Sequence, residues 1–216
     1  MGSHYREGEE PSDAAIRKAL EEVISVLRGA DVAFLLIGGM SAATFARPRM
    51  TDDIDVFVRP DAAPRALDAL EAAGFATKIK DPYWLYKAWK HGVLVDVIFR
   101  SSGDLYLDDE MLARGSDREY LGVTAPLVAP EDLVVIKALA SAEHSPRHWY
   151  DALAVIGRTQ LDWEYLLSRA RLAGPRRVLS LLLYAESTDL AVPAEIIEDL
   201  FEVVHPRPEQ VGSAGS

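Results

Sequence analysis

Asp53-Ile54-Asp55-Val56-Phe57-Val58 puts two carboxylates inside an otherwise apolar run. The period is two, so the run reads as a strand, with Ile54, Val56 and Val58 on one face and Asp53, Asp55 and Phe57 on the other. Asp53 and Asp55 then lie side by side. Like charges held close raise each other's pKa and cost stability unless a cation neutralises them. Val95-Asp96-Val97-Ile98 repeats the pattern, with one acid in a second apolar strand. Three acids projecting from neighbouring strands would form an oxygen-rich cradle suited to Mg²⁺ or Mn²⁺ and to phosphoryl chemistry. The plainer reading places the same acids on a solvated sheet face.

Upstream, Val32–Ile37 reads as a buried strand. Gly38-Gly39-Met40-Ser41 follows and opens a short helix to about Phe45. Glycines there let backbone approach a ligand, a helix start favours an anion, and Ser41 adds a hydroxyl. A tight strand-to-helix turn explains the glycines equally well. No Gly-Lys-Ser/Thr follows, and the third glycine of the dinucleotide fingerprint is missing. Further out, a helix is expected over 13–28, another over 61–73, and a strand over 75–80. Trp84–Lys90 and Val93–Phe99 form a hairpin about His91-Gly92. Asp108–Arg114 reads as a helix and Glu119–Val123 as a single strand. After Pro130 five helical stretches follow. The expected fold is mixed α/β (α+β): a mixed-sheet core with flanking helices over 13–125, a helical bundle over 126–205, and flexible ends at 1–12 and 206–216.

Gly38-Gly39, then Asp53-Ile54-Asp55-Val56, then Val95-Asp96-Val97 resemble the signature of the nucleotidyltransferase superfamily with the DNA polymerase beta fold. Arg49-Met50-Thr51-Asp52-Asp53-Ile54-Asp55 resembles more narrowly the Arg-x-Thr-x-Asp-Ile-Asp form of AbiEii-like and other minimal bacterial nucleotidyltransferases. Glu131–Ala138 with Lys137, and Arg147-His148-Trp149-Tyr150-Asp151, look like that group's following helix pair. The likeness departs at Gly39, where many members have serine. It implies NMP transfer from an NTP to a hydroxyl with release of pyrophosphate. Asp53 and Asp55 would hold two Mg²⁺ or Mn²⁺, and Asp96 would complete the metal site and help deprotonate the acceptor. Gly38, Gly39 and Ser41 would cradle phosphates, with Thr51 in the same motif. Lys137 and Arg49 would face the triphosphate; an ion pair with Asp52 is the alternative for Arg49. The acceptor would be RNA (tRNA in particular), a protein side chain or a small molecule. The AbiEii-like likeness adds a toxin–antitoxin or phage-defence setting with an antitoxin or toxin partner. A nucleotide-binding interaction module that has lost turnover is the alternative.

Composition limits the function classes. The 216 residues include no cysteine, which excludes thiolate metal sites and thiol nucleophiles. No apolar run has membrane-span length, and the start is too acidic and polar for a signal peptide, so a cytoplasmic protein without a membrane partner is expected. The formal charge of −11 speaks against a dedicated nucleic-acid coat. Residues 1–13 carry −3 and residues 186–216 carry −6, leaving −2 on the body between them, so an RNA acceptor stays open. Arg158, Arg169, Arg171, Arg176 and Arg177 make a basic segment that reads as a solvated helix face or an RNA contact. Tyr83, Trp84, Tyr86 and Trp89 cluster on the hairpin, for packing or for stacking a ring. His144 and His148 have metal-ligand spacing, but Pro146 between them argues against one continuous helix. Twofold dimers are the commonest oligomers, which makes a homodimer the default.

Overall fold

The computed structural model describes residues 11–46, 51–143 and 145–206. Arg49 and His144 lie outside the described residues, as do 1–10 and 207–216 of the expected flexible ends at 1–12 and 206–216. The strands are β1 (Phe34–Leu36), β2 (Asp53–Val58), β3 (Ala76–Asp81), β4 (Leu85–Lys90), β5 (Val93–Ile98), β6 (Ser116–Tyr120) and β7 (Val123–Leu127). The helices are α1 (Asp13–Gly29), α2 (Gly38–Phe45), α3 (Ala63–Ala72), α4 (Asp109–Arg114), α5 (Pro130–Ala140), α6 (Arg147–Arg158), α7 (Trp163–Leu172), α8 (Pro175–Ser187) and α9 (Ala194–Val204).

The described strands join in one sheet, ordered β3-β4-β5-β2-β1-β7-β6. β2 runs parallel to β5 and β1 parallel to β7; the other pairings are antiparallel. Alternation sorts the side chains. Phe34, Leu36, Ile54, Val56, Val58, Val95 and Val97 share one core with the apolar stripes of α1 and α3. Leu35, Ile37 and Phe57 point the other way and share a second core with α5, α6, α7, α8 and α9. The sheet is therefore covered on both faces, which is why its central strands are nearly continuous in apolar residues.

Local chemistry sets the element ends. Ser12 caps α1 by accepting from the Ala15 N–H at 3.3 Å, and Asp108 caps α4 through the Met111 N–H at 2.8 Å. His91 and Gly92 have φ of 55° and 78°, the left-handed pair that a tight hairpin requires. Leu121 and Gly122 do the same at 49° and 76°. That second turn corrects the single strand expected over 119–123. The chain folds back there, so β6 and β7 form a hairpin. Sequence alone hid it because leucine is a poor signal for positive φ. The expected boundary at 125/126 falls inside β7.

α5 is buried from Glu131 to Ala138 on every side. It packs on α2, α6, α7 and α8 and carries the helical layer onto the sheet. A buried pair, Asp132 and Arg169, links it to α7. Asp132 is fully buried; its Oδ2 accepts from the Tyr165 hydroxyl at 2.7 Å, and its Oδ1 lies 2.8 Å from Arg169 Nε without the alignment of a hydrogen bond. Arg169 is 1% exposed and also donates from Nη1 to Asp108 Oδ2 at 2.6 Å. This corrects the solvated-face reading for Arg169, which ties α7 to α4 and α5; Arg158, Arg171, Arg176 and Arg177 are exposed. Arg158 and Arg177 donate to the carbonyls of Ala46 and Ser141, and Arg171 pairs with Asp199.

Candidate active site

The three acids come together as their alternation requires. Asp53 and Asp55 share the face of β2 opposite the α1–α3 core, and β2–β5 pairing sets Asp55 directly beside Asp96. All three line one cavity of about 540 Å³. α5 closes it from across with Ile136, Lys137 and Ala140; the segment 100–104 and Arg147-His148 form the remaining wall. The plainer alternative of a solvated sheet face does not describe these acids.

Each acid already has an internal partner. Asp53 Oδ1 accepts from the Thr51 hydroxyl at 2.9 Å. Asp55 accepts from the Gly39 backbone N–H. Gly38 lies against the same carboxylate, with φ of +71°, and a Cβ there would overlap it. Asp96 meets Lys87 Nζ with both oxygens, at 2.8 and 3.2 Å. Burial pushes the Asp55 carboxyl up to about 7, helped by the charges of Asp53 and Asp96 and opposed by Lys137 and the Gly39 N–H. Burial also raises Asp96, against the lowering effect of Lys87.

The expected phosphate-binding residues divide. Gly38 and Lys137 line the cavity. Lys137 is 3% exposed and donates to Asp151 Oδ2 at 2.9 Å, with His148 Nδ1 at 3.4 Å. Gly39 turns its N–H to Asp55. Ser41 is fully buried, and its hydroxyl donates to the Leu36 carbonyl at 2.9 Å, so the structure gives it a backbone partner in place of a phosphate. Thr51 is buried and serves Asp53. Arg147 is exposed at the cavity wall.

Lys87 escaped sequence reasoning, although a signal was there. The hairpin about His91-Gly92 fixes the β4–β5 register, which sets Lys87 opposite Asp96. Trp84, 42% exposed, joins the lining next to the hairpin, whereas Tyr86 packs on Phe99 with ring centroids 4.8 Å apart.

Among the described residues, no three His, Asp or Glu side chains form a ready-made metal cage. The donor set still fits a hard divalent cation. It offers three carboxylates on adjacent strands, two of them raised by burial and by neighbouring acids, and a cation would relieve the second of these causes.

Comparison with solved structures places the fold. The antibiotic-resistance factor ANT(2'')-Ia in solution superimposes with a TM-score of 0.51 at 12% identity, covering 82% of this chain and 95% of that one. A nucleotidyltransferase-like antigenic protein from Paracoccidioides brasiliensis gives 0.51 at 12% identity, over 88% and 94%. No curated protein matches the chain. Residues 5–187 match the sequence model of a family described as uncharacterised nucleotidyltransferases. A match over that much of the chain, on a sheet that gathers the three acids, makes it a member of this nucleotidyltransferase family and an enzyme of that class.

Proposed function

We propose that the protein transfers a nucleoside monophosphate from an NTP to an acceptor hydroxyl and releases pyrophosphate. The observation that carries this reading is the placement of Asp53, Asp55 and Asp96 around one cavity with Lys137 on its far wall. Nucleotidyltransferases generally use a divalent metal; Mg²⁺ or Mn²⁺, when bound, supplies charge neutralisation for the triphosphate and the leaving pyrophosphate. Asp53 and Asp55 are the residues that would hold it, with Asp96 beside them. An Asp96 carboxylate oxygen takes the proton of the acceptor hydroxyl as the new O–Pα bond forms and the bond to pyrophosphate breaks. Burial favours that proton on Asp96. Lys137 faces the triphosphate as a point charge fixed by Asp151. Arg147 adds a second cation at the wall. Gly38 and Gly39 position Asp55, and Thr51 positions Asp53; these are positioning residues. The rest of the rate comes from orientation and charge stabilisation.

Trp84 and Arg147 flank the accessible part of the cavity, where the acceptor enters. A small molecule, an RNA terminus and a protein hydroxyl all meet the chemistry of that entrance. A toxin–antitoxin or phage-defence setting rests on the Arg49–Asp55 motif alone. The second reading, a nucleotide-binding module without turnover, draws on Lys87, which already occupies Asp96.

Calorimetry with ATP, with and without Mg²⁺, tests the site. Binding that strengthens with Mg²⁺ and loses that gain in Asp53→Ala supports it. Equal affinity with and without metal, unchanged by Asp53→Ala, contradicts it.

A further inference from the structure

Resting on the nucleotidyl-transfer reading, we propose that Lys87 holds Asp96 in the metal-free protein and competes with the divalent metal for it, so that Lys87 sets the site's metal affinity. The three acids are held by three different kinds of donor. Thr51 gives Asp53 one neutral hydroxyl, and Gly39 gives Asp55 one neutral N–H. Neutral donors leave the rest of each carboxylate free for a cation. Lys87 differs in two ways. It carries a full positive charge, and it covers both oxygens of Asp96, at 2.8 and 3.2 Å.

The contact is set by the fold. β4 and β5 pair with Lys87 directly opposite Asp96, and a tight turn fixes that register. The side chains are 20% and 16% exposed, so water screens the pair only partly. The lysine stem is flexible and can withdraw its ammonium while its backbone stays in the ladder. A dication arriving at Asp96 must therefore break an ion pair and sit near a cation. The ordinary alternative is a cross-strand pair that only steadies the hairpin. In that case removing Lys87 lowers stability slightly and leaves metal affinity alone.

The experiment measures Mn²⁺ binding by the electron paramagnetic resonance of the free ion, without nucleotide, on full-length wild type, Lys87→Met, Lys87→Arg, Arg100→Met and Asp53→Asn. Circular dichroism checks that each variant is folded. Lys87→Met should bind Mn²⁺ about fivefold more tightly or better, the range of a typical coupling. Lys87→Arg, which keeps the charge and can grip both oxygens, should stay at or below wild-type affinity. Arg100→Met removes a cation from the same cavity that pairs with Asp104, and should shift affinity far less. Unchanged affinity in Lys87→Met, or an equal gain in Arg100→Met, overturns the proposal. Asp53→Asn separates the two levels. If it binds as well as wild type, the metal-site reading itself fails, and the role of Lys87 with it. If it binds weakly while Lys87→Met is unchanged, only the role of Lys87 is lost.

Discussion

Gly38 faces a demand that no other residue type can meet. Its φ of +71° lies in the left-handed region, and the Asp55 carboxylate fills the space a Cβ would take. Gly92 has a similar φ, +78°, but nothing within 4 Å of its Cβ position. The pair separates backbone strain from site geometry. Gly92→Ala should cost about 1–2 kcal/mol, the usual cost of left-handed backbone for an L-residue. Gly38→Ala should cost more than that and, unlike Gly92→Ala, should abolish Mg²⁺-dependent ATP binding. Denaturant unfolding and calorimetry on the two variants check both statements. Equal behaviour would mean that Gly38 is only a turn. At this scale Asp53, Asp55 and Asp96 were legible, because a strand has one periodicity and charged residues inside an apolar run break it. The role of Ser41 was not legible. On a short helix, a hydroxyl that returns to the carbonyl of Leu36 and one that faces a ligand have the same sequence.

Among elements, α5 is the piece whose residues mislead. Glu131, Asp132 and Lys137 are charged residue types that are usually exposed, yet all three are buried. Each finds its partner far along the chain: Glu131 the Asp162 N–H, Asp132 the Tyr165 hydroxyl and Arg169, Lys137 the Asp151 carboxylate. Pairings across 14 to 37 residues leave no local pattern, so Arg169 reads as one more member of a solvated basic face. Asp132 also gives the fold a pH signature. Burial raises its carboxyl to about 6 from an ordinary value of 3.8, despite the Tyr165 hydroxyl and Arg169. The folded state therefore binds the proton more tightly than the unfolded chain. Its contribution is full below about pH 4 and is lost as pH rises through about 6, by up to about 3 kcal/mol. The stability difference between wild type and Asp132→Asn, followed by urea unfolding from pH 4 to 7.5, should shift against wild type by up to that amount as pH rises. A flat difference would mean that Arg169 fully offsets the burial.

For the whole molecule, sequence reading separated a sheet part from a helical part near residue 126. Among the described residues the strands end with β7 and helices follow. The cores divide differently. Leu35, Ile37 and Phe57 of the sheet pack with Leu133, Val155, Leu166, Leu182 and Leu200 of the helices in one cluster. The core under α1 and α3 lies within residues 16–127, but the opposite face of the sheet completes its core only with the helices after β7, which periodicity cannot reveal because it gives faces and not their partners. Heat or denaturant should therefore unfold the two parts together, with coincident transitions by tryptophan fluorescence and by far-ultraviolet circular dichroism. A fragment ending at residue 129 should be unfolded or aggregated. Two resolved transitions would show that the parts are independent domains. The cavity lies between these same layers, walled by β2 and β5 on one side and by α5 on the other.

The most direct test of nucleotidyl transfer is the fate of the α-phosphate. The protein would be incubated with each α-³²P-labelled NTP, Mg²⁺ or Mn²⁺, and in turn total RNA, a protein lysate and a small-molecule extract. Metal-dependent transfer of label to one of these pools is expected, with pyrophosphate released, and its loss in Asp55→Asn. No transfer with any NTP and any pool, or transfer that survives Asp55→Asn, would contradict it.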